Sequence, residues 1–106
     1  MKMYKRLFSM LSLSQKAGKI RSGEFMCENS IKNKEALLVI VAEDASENTA
    51  QSFRQQCEYY QVPFYQIGTK EELGRSIGKE YRASLAIVDP NFANRIEQLL
   101  QDILGS

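Results

Sequence analysis

The segment Ala36–Gly68, "ALLVIVAEDASENTAQSFRQQCEYYQVPFYQIG", carries the strongest structural signal in the chain. Its first seven residues form an unbroken β-prone run, the mark of a strand covered on both faces. Asp44 and Ser46 follow as capping residues. Ala50, Phe53, Cys57 and Tyr60 then recur at spacings of three, four and three, which places them on one face of an amphipathic helix. Val62-Pro63 breaks that helix, "FYQI" reads as a second strand, and Gly68 as a turn. Strand, helix, strand is the signature of a layered α/β protein.

Working outward toward the C-terminus, "TKEELGRSI" (69–77) opens with a capping box, Thr69 paired with Glu72. "SLAIV" (84–88) is another buried strand. Asp89 caps a last helix, with Pro90 in its first turn and Phe92, Ile96, Leu99, Leu100 and Ile103 as its apolar stripe. Toward the N-terminus, Met3, Leu7, Met10 and Leu11 share one helical face, and Gly18 stands where that helix stops. "KIRS" (19–22) is a short extended candidate. A further helix, carrying Cys27 and Ile31, begins near Gly23 with Ser22 as its cap. The order predicts a single domain over residues 1–106, a three-layer α/β/α sandwich with a mixed sheet of about four strands. Its last three strands, joined through crossover helices, are expected to be mutually parallel with right-handed connections.

Composition narrows the function classes. The chain has 106 residues, 43% of them apolar and 25% charged, as in ordinary globular proteins. No apolar run reaches membrane-spanning length, and the start alternates too often for a signal peptide, so a cytoplasmic protein with no membrane partner is expected. There is no histidine, and the two cysteines stand thirty positions apart, which is not metal-ligand spacing; they read as core residues. No metal, no cofactor and no catalytic residue is expected. The charge is segregated: residues 1–34 hold eight Lys/Arg against two Asp/Glu, residues 35–106 six against eleven. A basic end and an acidic end can meet a polyanion in one orientation.

Chemistry concentrates at three turns. The first is the hinge Gly18-Lys19-Ile20-Arg21-Ser22-Gly23, part of "AGKIRSGEF". It has the glycines and lysine of a phosphate loop but neither the spacing nor the preceding strand. The second is "AEDAS" (42–46), with the free amides of the helix it opens. The third is Gly78-Lys79-Glu80-Tyr81-Arg82-Ala83. Cations, helix-start amides and a few apolar side chains together suit irregular RNA, whose phosphates take the charges and whose unstacked bases take the apolar groups. The expectation is that the three turns meet at one positively biased rim. On the hinge, Lys16, Lys19, Arg21 and Lys32 position phosphates, and Phe25 and Met26 either face bases or belong partly to the core. Two other classes compete. One is a protein-interaction module using Phe25, Tyr81 and the acidic half. The other is a magnesium-dependent enzyme using Glu43 and Asp44 with Asp89, which lacks the lysine such a site needs further on.

"QKAGKIRSGE", "LLVIVAEDAS", "CEYYQVPFYQIGTKEELGRSIGK" and "ASLAIVD" resemble the ribosomal-protein family typified by the archaeal large-subunit protein L7Ae, and within it a small bacterial, YlxQ-like branch. The resemblance runs over about residues 5–93 and is most specific from Cys57 to Gly78. It implies the same α/β/α sandwich and a non-catalytic protein that binds structured RNA. The typical target is the kink-turn, an internal loop bent beside sheared G·A pairs, within a ribosome or another ribonucleoprotein. The RNA would be ribosomal or non-coding, the protein partners ribonucleoprotein components, and the chain a monomer. The family's helix-opening glycine corresponds to Gly23 and its next residue to Glu24. Its Asn and Glu, which read the G·A pairs, fall on Phe25 and Met26, and its following Lys on Asn29. Ala42, Glu43 and Asp44 match its turn, and Gly78 to Ala83, with Lys79, Tyr81 and Arg82, keep the shape of its last loop. Asn and Glu pair with base edges whereas Phe and Met pack or stack. Glu24 offers a carboxylate two residues before Met26, about 200° away around the helix.

Overall fold

The computed structural model describes residues 2–105, with side chains from Tyr4 onward. Met3, assigned above to the first apolar stripe, lies outside the described side chains. Five helices and four strands alternate: α1 (Lys2–Lys16), β1 (Ile20–Ser22), α2 (Glu24–Lys32), β2 (Leu38–Val41), α3 (Glu47–Tyr60), β3 (Phe64–Gln66), α4 (Lys70–Ser76), β4 (Ser84–Ile87) and α5 (Pro90–Gly105). The sheet order is β1-β4-β2-β3.

The two central strands, β2 and β4, are buried at every position, as their apolar runs require. Their alternation divides the core. Leu38, Ile40, Leu85 and Ile87 face Leu7 and Leu11 of α1, Leu73 of α4, and Ile96 and Leu100 of α5. Val39, Val41 and Ala86 face Cys27 and Ile31 of α2 and Ala50, Phe53 and Cys57 of α3. Helices therefore cover both faces, in three layers. Burying an aliphatic or aromatic side chain of this size is worth ~1.5–3 kcal/mol, so the two half-cores together outweigh any single cap or ion pair. The ion pair of Arg75 with Glu71, at 2.7 Å, is exposed and worth little.

One topological expectation fails. β2 and β3, joined by α3, are parallel, but β4 runs antiparallel to β2 and β1 antiparallel to β4. The cause lies in the connection from β3 to β4. α4 has only seven residues, about 10 Å of helix, and the chain after it doubles back along it: the Arg82 amide donates to the Lys70 carbonyl at 3.0 Å. The chain thus enters β4 at the end of the sheet where it left β3, Ser84 lying opposite Val41. Gly74 makes the return possible. A Cβ there would lie 2.7 Å from the Glu80 carbonyl oxygen. Among the described residues no helix is long and apolar enough to cross a membrane.

Candidate nucleic-acid interface

Because β4 is antiparallel to β2, one end of the sheet collects four segments. The Gly23 amide donates to the Ser84 carbonyl (3.1 Å), Ala42 to Ala83 (2.9 Å) and Glu43 to Gly68 (2.8 Å). Arg82 Nε donates to Ser22 Oγ at 3.2 Å, and the Lys70 amide to Asp44 Oδ1 at 2.8 Å. The end of the hinge, the turn after β2, the start of α4 and the end of the loop before β4 are thus tied to one another. α2, α3 and α4 all begin here.

Two assigned caps change partners. Ser22 does not cap α2; its hydroxyl accepts from Arg82, and the N-cap is Gly23, at φ +91°, with no side-chain hydrogen bond. A Cβ at Gly23 would meet nothing within 4 Å, so the glycine serves its backbone angle and leaves the main chain bare. Asp44 does not cap α3; it holds the first amide of α4, beside the Thr69–Glu72 capping box. Ser46 caps α3, accepting from the Thr49 amide at 3.1 Å. The helix opened by "AEDAS" therefore begins with a side-chain cap on its Thr49 amide, whereas α2 begins at this end with no side-chain cap at all.

Aromatic and apolar side chains flank that bare start. Phe25 is 72% exposed, Tyr81 61% and Met26 47%, which removes the core reading of Phe25. Glu24, Glu43 and Asp44 are exposed around them. Lys79 sits farther back, its amide on the Gly74 carbonyl, and Asn29 and Lys32 are exposed farther along α2. Sequence reasoning missed Lys70 and Gly74. The capping box marks where α4 starts, but nothing local reveals that this start meets Asp44 or that Gly74 lies beneath the returning loop.

The rim lacks the positive bias expected of it. Lys16, Gly18 and Lys19 lie at the opposite end of β1, where the Val88 amide donates to the Lys19 carbonyl, about three strand residues or roughly 10 Å from Ser22. The Arg21 guanidinium turns toward that end as well, donating to the Gly18 carbonyl at 3.2 Å. The hinge is therefore split: its Ser22–Gly23 end joins the rim, and its cations line the β1 edge. The magnesium arrangement is likewise excluded, since Asp44 is at one end of the sheet and Asp89, whose Oδ2 accepts from the Phe92 amide at 3.0 Å, is at the other. Among the described residues no group of three or more Cys, Asp or Glu is placed to hold a metal ion. Both thiols are free and buried. Burial pushes the Cys27 thiol up to about 12 and the Cys57 thiol up to about 11, which leaves neither a thiolate nucleophile at neutral pH.

Comparison with known proteins agrees with this architecture. An RNA-binding protein, YlxQ, of Bacillus subtilis is 44% identical over 93 residues, covering 88% of this chain and 93% of its own length. A protein of the same description from Enterococcus faecium is 34% identical over 96 residues, covering 91% and 92%. Among solved structures, the 15.5kD RNA binding protein of Giardia lamblia superposes with a TM-score of 0.82 at 20% identity, covering 99% of this chain and 90% of that one, a likeness of fold. The model of the Ribosomal protein L7Ae/L30e/S12e/Gadd45 family matches residues 5–97, nearly the whole length, and the chain belongs to that family.

Proposed function

We propose that residues 1–106 act as a single, monomeric, cytoplasmic domain that binds structured RNA, a kink-turn or related internal loop, without chemistry. It would serve as a component or accessory of a ribonucleoprotein, the ribosome foremost. The observation that carries this reading is the uncapped start of α2 at Gly23, knitted to Arg82 and to the turn after β2 and flanked by Phe25 and Tyr81. A bare helix start accepts a phosphate, and exposed aromatic rings accept unstacked bases. The cations of the β1 edge would then hold a backbone leaving the loop. Phe25 and Met26 stand where the family has polar readers, so this chain meets its loop by packing more than by pairing with base edges.

Fluorescence titration with a kink-turn duplex, and with the same strands re-paired as a continuous duplex, tests it. The kink-turn is expected to bind more tightly and with the steeper salt dependence. Equal binding to both removes the loop specificity. Absence of binding to either, with protein partners that survive ribonuclease in a pull-down, favours the protein-interaction module.

A further inference from the structure

A second surface lies away from this rim. α1 and α5 pack against each other, and their outer seam forms an open groove of about 720 Å³. Its floor is aliphatic, made by Met10, Leu13 and Leu99, and Leu13 is 52% exposed. Lys5, Arg6 and Arg95 line its edges. None of these three cations has a hydrogen bond or ion pair among the described residues, whereas the one carboxylate of the groove, Asp102, already has a partner. An apolar floor edged by unpaired cations is complementary to a ridge of apolar residues flanked by carboxylates.

From this geometry we propose that the α1–α5 groove docks an acidic amphipathic helix of a partner protein. Its apolar residues, at i, i+3 or i+4 and i+7, lie on Met10, Leu13 and Leu99, with Asp or Glu beside Lys5, Arg6 and Arg95. The stretch from Lys5 to Leu13 measures about 12 Å along α1, room for roughly two turns of the occupant. Two other polyanionic surfaces fit less well. RNA bases stack on aromatic rings, and none lines this groove; a bilayer presents a flat face, not a ridge. The groove would let the protein hold a protein partner while its RNA rim stays open.

The test places a photo-crosslinking phenylalanine analogue at Leu13 of the full chain in its native cell, with a control at Tyr59, which is exposed on α3. Adducts are identified by mass spectrometry. The supporting result is an adduct, above the control, to a net-acidic protein segment with apolar residues at helical spacing. The Lys5→Glu, Arg95→Glu double variant should lower its yield about tenfold, the size of effect expected from reversing steering charges, with RNA affinity at the rim unchanged. RNA, lipid, a second copy of this chain, a non-acidic protein segment, or no adduct above the control overturns the proposal. So does a yield that the double variant leaves intact. A fall in RNA affinity in that variant would instead place these cations in the RNA footprint and also overturn it.

Discussion

Two helix starts, those of α2 and α4, lie at one end of the sheet on its opposite faces and are finished in different ways. α4 is well capped: Asp44 takes the Lys70 amide, Thr69 takes the Glu72 amide and Glu72 reaches back to Thr69. α2 begins at a glycine with no side-chain cap. Each start exposes up to four amides without intrahelical partners, and leaving them so costs stability of the order of a helix cap, about 1 kcal/mol. The chain meets that cost at α4, which holds the returning loop in place, and leaves it unmet at α2, where an outside anion can supply what is missing. One start is structural and the other is available.

The sharpest way to break this contrast is Gly74→Ala. Its Cβ would meet the backbone of Glu80 and Tyr81 at 2.7–2.8 Å, so the loop must move off α4. A loss of about 1–3 kcal/mol in denaturant unfolding is expected, together with loss of RNA binding, because Arg82 leaves Ser22. Phe25→Ala separates function from folding. An exposed ring should cost ~1–3 kcal/mol in RNA affinity if it stacks, with unfolding midpoints unchanged; an unchanged affinity would leave α2 without its aromatic flank. Asp44→Ala takes the side-chain partner from the Lys70 amide, leaves the Thr69–Glu72 box in place, and should cost about 0.5–2 kcal/mol in stability. If α2 is the RNA-facing start, RNA affinity per folded molecule should change much less.

Smaller effects sharpen the split between shape and charge. Lys19→Ala with Arg21→Ala should lower the slope of log affinity against log salt by about 0.7–0.9 for each phosphate no longer neutralised, while Phe25→Ala leaves the slope unchanged. Equal slopes in all three proteins would take the β1 edge out of the RNA footprint. The smallest effect at neutral pH comes from the buried thiol of α2, Cys27. Folding raises the Cys27 pKa from 9.0 to about 12 by burial. The unfolded state therefore loses its proton first, and stability that is full below pH 9 falls as pH rises toward 12. Unfolding at pH 8 and at pH 10 should show this loss, and Cys27→Ala should lessen it.

Much of this molecule is legible along the chain. Within the β-prone runs at 36–42 and 84–88, Leu38–Val41 and Ser84–Ile87 became buried central strands, and the stripe of Ala50, Phe53 and Cys57 faces the core. The capping box at Thr69 and the Asp89 cap formed as their spacing requires. Each of these depends on residues within a turn or two of one another, or on which faces of an element are apolar, and both are written in local order. Tertiary structure decided the rest. The direction of β4 depends on a loop folding back over a glycine, and Ser22 and Asp44 took partners 60 and 26 residues away instead of local amides. The hinge was split because β1 pairs along its length with β4, leaving its cations at one end and its bare helix start at the other. Hydrogen-bond donors and carboxylates satisfy whichever partner the packed core brings near, and no periodicity or spacing in the chain states which one that will be.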